Sequence, residues 1–327
     1  MRPVRALTDR LALTLEKIAR RIRGRTEFAA PAPQPAPSSP TELPAAPPVH
    51  PAMRFAPPGH FYSPIPDLDE VARQASRIFP SGPVELAGIE LREQEQLSLL
   101  ERFRPLYADQ PFPRTRIPGR RYWFENPQYS YSDALCYHFM LRTLRPERVI
   151  EVGSGFSSCV ALDTAETHLG GKLRLTCIEP YPERLQELMR EDDRQRLELI
   201  QKPVQELPLA VFSSLQPRDI LFIDSTHVVK VGGDVNYLYF EVLPRLRSGV
   251  YIHIHDIFYP FEYPRYWLEE GRVWSEAYLL RAFLQSNKDF EIVLFNTFLE
   301  ERHPEVFRHH FPLCLENPGG SIWLRRK

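Results

Sequence analysis

From residue 148 to the end of the chain, short apolar runs alternate with stretches whose apolar residues recur every three or four positions. The first pattern predicts strands and the second predicts helices. RVIEV, beginning at Arg148, is followed by the helical pattern FSSCVALDTAETHL, and LRLTCIE is followed by PERLQELMRED. RLELIQ precedes a short helix or loop, VQELPLAVFSSL; DILFID precedes GDVNYLYFEVLPRL; VYIHIHD precedes WSEAYLLRAFLQSN. FEIVLFN and SIWLRRK close the series, the latter after the turn Asn317-Pro318-Gly319-Gly320. Strands alternating with helices of this length predict an α/β fold with a parallel, doubly wound sheet. The excursion 298–316, between the last two strands, reads as a surface flap.

The pattern changes towards the N-terminus. Residues 59–147 are mainly helical with prolines as punctuation, and PDLDEVARQASRIF, REQEQLSLLERF and YSDALCYHFMLRTL form a helical cover ahead of a domain at 148–327. In residues 1–28, Leu7, Leu11, Leu15, Ile18 and Ile22 make one apolar stripe, crowded by Arg2, Arg5, Arg10, Lys17, Arg20, Arg21, Arg23 and Arg25. Such a basic amphipathic helix suits an anionic membrane surface or a protein partner; a solvated, half-formed helix accounts for it equally well. Residues 29–58 form a proline/alanine-rich tract, which predicts a semi-rigid linker.

Composition narrows the function classes. A net charge of −1 supplies no global field for nucleic acid. The four cysteines (Cys136, Cys159, Cys177, Cys314) are scattered, without zinc-ligand spacing, which favours reduced thiols and a cytoplasmic protein, peripheral to a membrane if residues 1–28 bind one. No apolar run reaches transmembrane length, and no signal-peptide core is visible.

Ligands of open α/β sheets bind beyond the carboxyl ends of the strands, so the residues placed there are the candidates. The first strand ends in Glu151 and Gly153-Ser154-Gly155, a glycine turn that lets backbone approach a ligand closely. The second ends in Glu179, near the spacing expected of a carboxylate gripping a ribose diol. After the third, Gln205 offers an amide. The fourth ends in Asp224, with His227 three residues on, and the fifth ends in His255 and Asp256. Asp224 is equally placed to cap the following helix. His253, one pleat further in, reads as a hydrogen-bonded core histidine. Asp133 is placed to cap the helix before the first strand. The aromatic loop FYPFEYPRYW follows strand five, where an acceptor would enter, and is open to two readings: a hydrophobic cover or a stacking surface.

The E-x-G-x-G run at Glu151–Gly155, with Glu179 beyond it, resembles motif I of the class I S-adenosylmethionine (SAM) methyltransferases. That resemblance implies a seven-stranded Rossmann-like sheet with the last strand antiparallel. It also implies SAM as cofactor, held by Glu151, Gly153, Ser154, Gly155, Glu179, Gln205 and Asp224. The IDSTH and HIHD elements further resemble metal-dependent O-methyltransferases, including enzymes acting on macrolide sugars. Carried over, this likeness makes His227 the catalytic base beside Asp224, and makes Asp224, His255 and Asp256 the ligands of a divalent cation. His255 stands where that family carries an acid; its nitrogen turns the expectation from magnesium towards manganese, iron or zinc. The implied reaction is O-methylation of a hydroxyl on a sugar or small-molecule natural product, with a small-molecule or glycan acceptor as partner. Two other classes stay open. An NAD(P)-dependent oxidoreductase would use the same sheet, although Ser158 occupies the place of the third dinucleotide glycine; a non-catalytic SAM-binding or scaffold protein would suit the basic N-terminal helix.

Overall fold

The structure, a computed structural model, describes residues 53–327. The expected helix over 1–28 and the linker up to residue 52 lie outside the described residues. The strands are β1 (Arg148–Val152), β2 (Arg174–Ile178), β3 (Leu197–Ile200), β4 (Ile220–Ile223), β5 (Tyr251–His255), β6 (Phe290–Phe295) and β7 (Ser321–Arg326). They form one seven-stranded sheet in the order β3-β2-β1-β4-β5-β7-β6. The first five pair in parallel. β7 enters antiparallel between β5 and β6. This is the doubly wound sheet with a reversed last strand that the sequence predicts. It reverses direction outward from β1, and the crevice beyond β1 and β4 is where such sheets hold ligands.

Helices α1 (Leu68–Arg73), α2 (Ala75–Ile78), α3 (Glu93–Tyr107) and α4 (Tyr131–Leu144) precede β1. Helix α5 (Phe156–His168) follows it. Nearly every residue of α4 is buried, and α4 packs against α5, α3 and the turn Pro312–Glu316. It is therefore an inner layer, and the stretch from Leu86 to Leu144 shares one continuous apolar core with the sheet. The excursion after β6 is also packed: Asn296–Arg302 and Pro304–His310 are helical, and Phe298, Leu299, Phe307, Phe311 and Cys314 are buried. The flap expected there is a second structural layer, because its apolar residues recur at helical spacing and face α4. Asp133 staples these pieces. Instead of capping α4, it accepts from Gly320 N (3.1 Å), Ser321 Oγ (2.7 Å) and Asn296 Nδ2 (3.2 Å).

The register sets one row of side chains beneath α4. Cys177, Glu151, Phe222, His253 and Trp323 are successive cross-strand neighbours. Their rings stack across the sheet: Tyr137 of α4 lies 4.8 Å from Phe222, Phe222 3.9 Å from His253, and His253 4.7 Å from Trp323. His253 is thus a core residue, but neither ring nitrogen has a hydrogen-bond partner, and burial pushes its pKa well down, so it is neutral. All four cysteines are buried and free. No helix among the described residues is long and apolar enough to cross a membrane.

Candidate active site

The β1 turn shows why two of its residues differ. Gly153 has φ +86°, and a Cβ there would lie 1.9 Å from the Asp224 carbonyl oxygen. The glycine is needed first for the crossing of two chain segments and only then for any ligand. Ser154 Oγ is buried with no partner. At Gly155 a Cβ would meet only Arg184 Cδ, at 3.4 Å. An unpartnered hydroxyl beside an open glycine is the surface a polar cofactor would complete.

Glu151 is the residue placed otherwise than expected. Strand alternation turns it under α4, where it is fully buried and accepts from the Ser157 hydroxyl. Burial, opposed by hydrogen bonds from Ser157 and Ser158, pushes its carboxyl up to about 8. It supports the turn from behind and presents no surface to a ligand. Glu179, at the end of β2, is only partly buried. One carboxylate oxygen accepts from Tyr181 N at 2.8 Å, and the Ser154 N–H also donates to the carboxylate. Gln205 lies on the exposed turn Val204–Glu206, its amide reaching the Gly232 carbonyl at 3.4 Å.

The most concentrated chemistry lies beyond β4 and β5. His227 and Asp256 both have left-handed backbones (φ 59° and 55°), a conformation disfavoured for residues with a Cβ and typical of functional turns. Those turns bring His227 Nε2 to 3.3 Å from Asp224 Oδ1 and 3.6 Å from Asp256 Oδ2. On the other side of the ring, Nδ1 lies 2.9 Å from Glu276 Oε2. Glu276 opens the helix Glu276–Leu284 and is fully buried. The Ser275 and Glu276 N–H groups donate to the His227 carbonyl at 3.0 and 3.1 Å, and the Trp274 ring lies 4.5 Å from the imidazole. The ring is fixed in position and orientation.

The electrostatics follow from this packing. Burial works against a charged His227, but hydrogen bonds that its ring donates to Asp224 and Glu276 hold its pKa well above the usual histidine value. Burial acts to raise Asp224, yet His255 and His227 hold it down. With Nδ1–H given to Glu276, the Nε2 lone pair would face two carboxylates. Such a point calls for a positive centre, a proton or a metal ion.

Asp224, His227 and Asp256 each offer a ligand atom, and those atoms all lie within 4.8 Å of one another. His255, expected in the ligand set, is not among them. Its Nε2 sits 3.6 Å from Asp256 Oδ1, and its ring packs on Tyr129 at 5.0 Å. Two carboxylate oxygens and an imidazole nitrogen fit a divalent cation, and the nitrogen favours manganese, iron or zinc over magnesium. The carboxylate behind the imidazole is the arrangement that orients a metal-bound histidine. Sequence reading missed Glu276 and Trp274. Glu276 reads there as an ordinary acid in the first turn of a helix, and only the fold brings it to His227 across 49 residues.

The strand order, the glycine turn after β1 and the acids at the strand ends are those of a doubly wound α/β protein. Residues 150–257, from β1 to the turn after β5, match the family model described as "Methyltransferase domain". An uncharacterized protein of Archaeoglobus fulgidus is 36% identical over 168 residues, covering 50% of this chain and 75% of that one. Among solved structures, the SAH-bound methyltransferase PaMTH1 of Podospora anserina aligns over 79% of this chain and 94% of its own, with 16% identity and a TM-score of 0.40. The O-methyltransferase TomG of Streptomyces achromogenes, in complex with SAM, aligns over 79% and 96%, with 13% identity and a TM-score of 0.37. Residues 150–257 are a methyltransferase domain, carried on a seven-stranded sheet with a reversed last strand.

Proposed function

We propose that this protein transfers the methyl group of SAM to a hydroxyl oxygen of a small-molecule acceptor, at the point faced by Asp224, His227 and Asp256. The observation that carries this reading is the convergence of those three donor atoms from two strand ends, with Glu276 fixing the imidazole between them. SAM supplies the methyl group as an electrophile. Glu179 holds the ribose hydroxyls, Ser154 offers its hydroxyl at the β1 turn, and Gly155 leaves room there. Asp224 and Asp256 hold either a proton on His227 Nε2 or a divalent cation, which would lower the pKa of the acceptor hydroxyl. Without a cation, His227 first releases its Nε2 proton; the neutral ring then accepts the hydroxyl proton, and Glu276 stabilises the imidazolium that forms. The resemblance in the sequence points to a sugar or natural-product hydroxyl.

Calorimetry with SAM and measurement of SAH release over a panel of hydroxyl acceptors test the reading. Glu179→Ala should weaken SAM binding by about 1.5–3 kcal/mol, the range for a hydrogen bond to a charged group. EDTA should abolish turnover, and manganese should restore it better than magnesium. Absence of SAM binding in the wild type would end the cofactor assignment. Turnover indifferent to EDTA would leave His227 acting alone.

A further inference from the structure

Beside the proposed catalytic cluster lies a cavity of about 970 Å³, large enough for a drug-sized molecule. Three separate segments wall it: α1 and α2 with the turn before them, the loop after His227, and the segment from Glu262 to Arg281. Val229 N donates to Ser275 Oγ at 2.9 Å, which ties the second wall to the third. Trp274 belongs to both places, since its ring lies 4.5 Å from the His227 imidazole and also lines the cavity. None of the glycine-turn residues, nor Glu179, is part of this lining. The cavity is therefore separate from the cofactor cradle and meets the reacting end at Trp274.

Its charge is unbalanced. Arg77, Lys230 and Arg281 line it, one from each wall, against a single acid, Glu262. Among the described residues, none of the three cations lies within ion-pair distance of an acid, although Arg77 acts on the more distant Glu70 and Arg281 on Glu262; Arg77 is hydrogen-bonded to the Gln74 side-chain oxygen at 2.9 Å. Glu262 is itself engaged by the Tyr278 hydroxyl and by Tyr263 N. Cations converging on a concave, partly apolar surface repel one another and focus a positive potential inside it. Guanidinium groups are suited to carboxylate and phosphate oxygens because their planar N–H forks match them. Trp274 supplies a flat apolar face next to the reacting point.

We propose that this cavity is the acceptor site and that the acceptor carries an anionic group, a carboxylate or a phosphate, bound by Arg77, Lys230 and Arg281 while its hydroxyl lies past Trp274 at His227. This rests on the methyltransferase reading and adds the charge of the acceptor to it. The full chain loaded with SAH is titrated in a calorimeter with two matched pairs: 3,4-dihydroxybenzoate against catechol, and glucose 6-phosphate against glucose. The anionic member of at least one pair should bind about tenfold or more tightly than its neutral partner. Discrimination in the first pair points to a ring carboxylate, and discrimination in the second to a sugar phosphate. The double substitution Lys230→Gln with Arg281→Gln should abolish the preference and leave SAH affinity unchanged. Equal or absent binding of both anionic members, or a preference that survives the double substitution, overturns the proposal. SAH binding in the same instrument reports separately on the methyltransferase reading, which fails only if SAH itself does not bind.

Discussion

Two buried charge clusters in this protein are built from the same residue types to opposite ends. Around Arg121, which is almost wholly buried, every guanidinium nitrogen is spoken for. Nε and Nη2 reach the Asp193 carboxylate at 2.8 and 2.6 Å, and Nη1 reaches Asp163 at 2.6 Å and Glu166 at 2.8 Å. Around His227, three carboxylates face one imidazole, and the neighbouring His255 Nδ1 is left without a partner. The backbone differs too. His227 and Asp256 hold left-handed conformations, whereas Arg121 does not. The first cluster is closed and joins the segment before α4 to α5 and the turn before β3. The second has an excess of acceptors aimed at one point and is completed only by a proton or a cation. Burial of charge alone therefore does not mark a functional site.

The comparison breaks most visibly at His227. His227→Ala should lower turnover by about two to four orders of magnitude, with SAM affinity retained. If the variant instead loses folding stability and keeps its turnover, the open cluster is a second structural staple and the contrast with Arg121 disappears. Arg121→Met should act in the reverse sense. It strands Asp163 and Asp193 as buried, uncompensated charges and should cost about 3–5 kcal/mol in urea unfolding. Glu166, partly exposed in the same cluster, serves as a control, since Glu166→Gln should cost less than about 1 kcal/mol. An Arg121→Met protein as stable as the wild type would show that the closed cluster is ornamental.

A last test sharpens the picture of Glu151, a third buried acid, with a hydroxyl partner. Its carboxyl is raised from 4.5 to about 8. A carboxyl raised in the folded state keeps a proton that the unfolded chain has lost, so its contribution is full below about 4.5 and is lost as pH climbs to about 8. Glu151→Gln cannot ionise and should flatten the fall of melting temperature across that window. The slope removed is at most about 1.4 kcal/mol per pH unit. Parallel pH profiles for the two proteins would mean that Glu151 is ionised in the fold.

Much of this protein was legible before any coordinates. All seven strands lie where the apolar runs predict them, because a strand buried on both faces must be apolar along its length. Asp224, Glu179 and the glycine turn were expected just beyond strand ends, and the fold places them there. The misplacements share one cause. Glu151 belongs to the motif, yet strand alternation turns it under α4. The 298–316 excursion resembles a loop until its apolar residues meet α4. His255 was expected among the metal donors, but the turns at His227 and Asp256 bring in the other histidine.

By itself the sequence determined the order of elements, the sheet class and the strand ends that carry chemistry, since these follow from local periodicity and from a few glycines and acids. The tertiary structure decided which polar groups meet. Glu276 and His227 are 49 residues apart, and Arg121 reaches Asp193 across 72. No local pattern encodes such pairs. They exist because close packing brings distant segments together and a buried charge is tolerable only beside an opposite one.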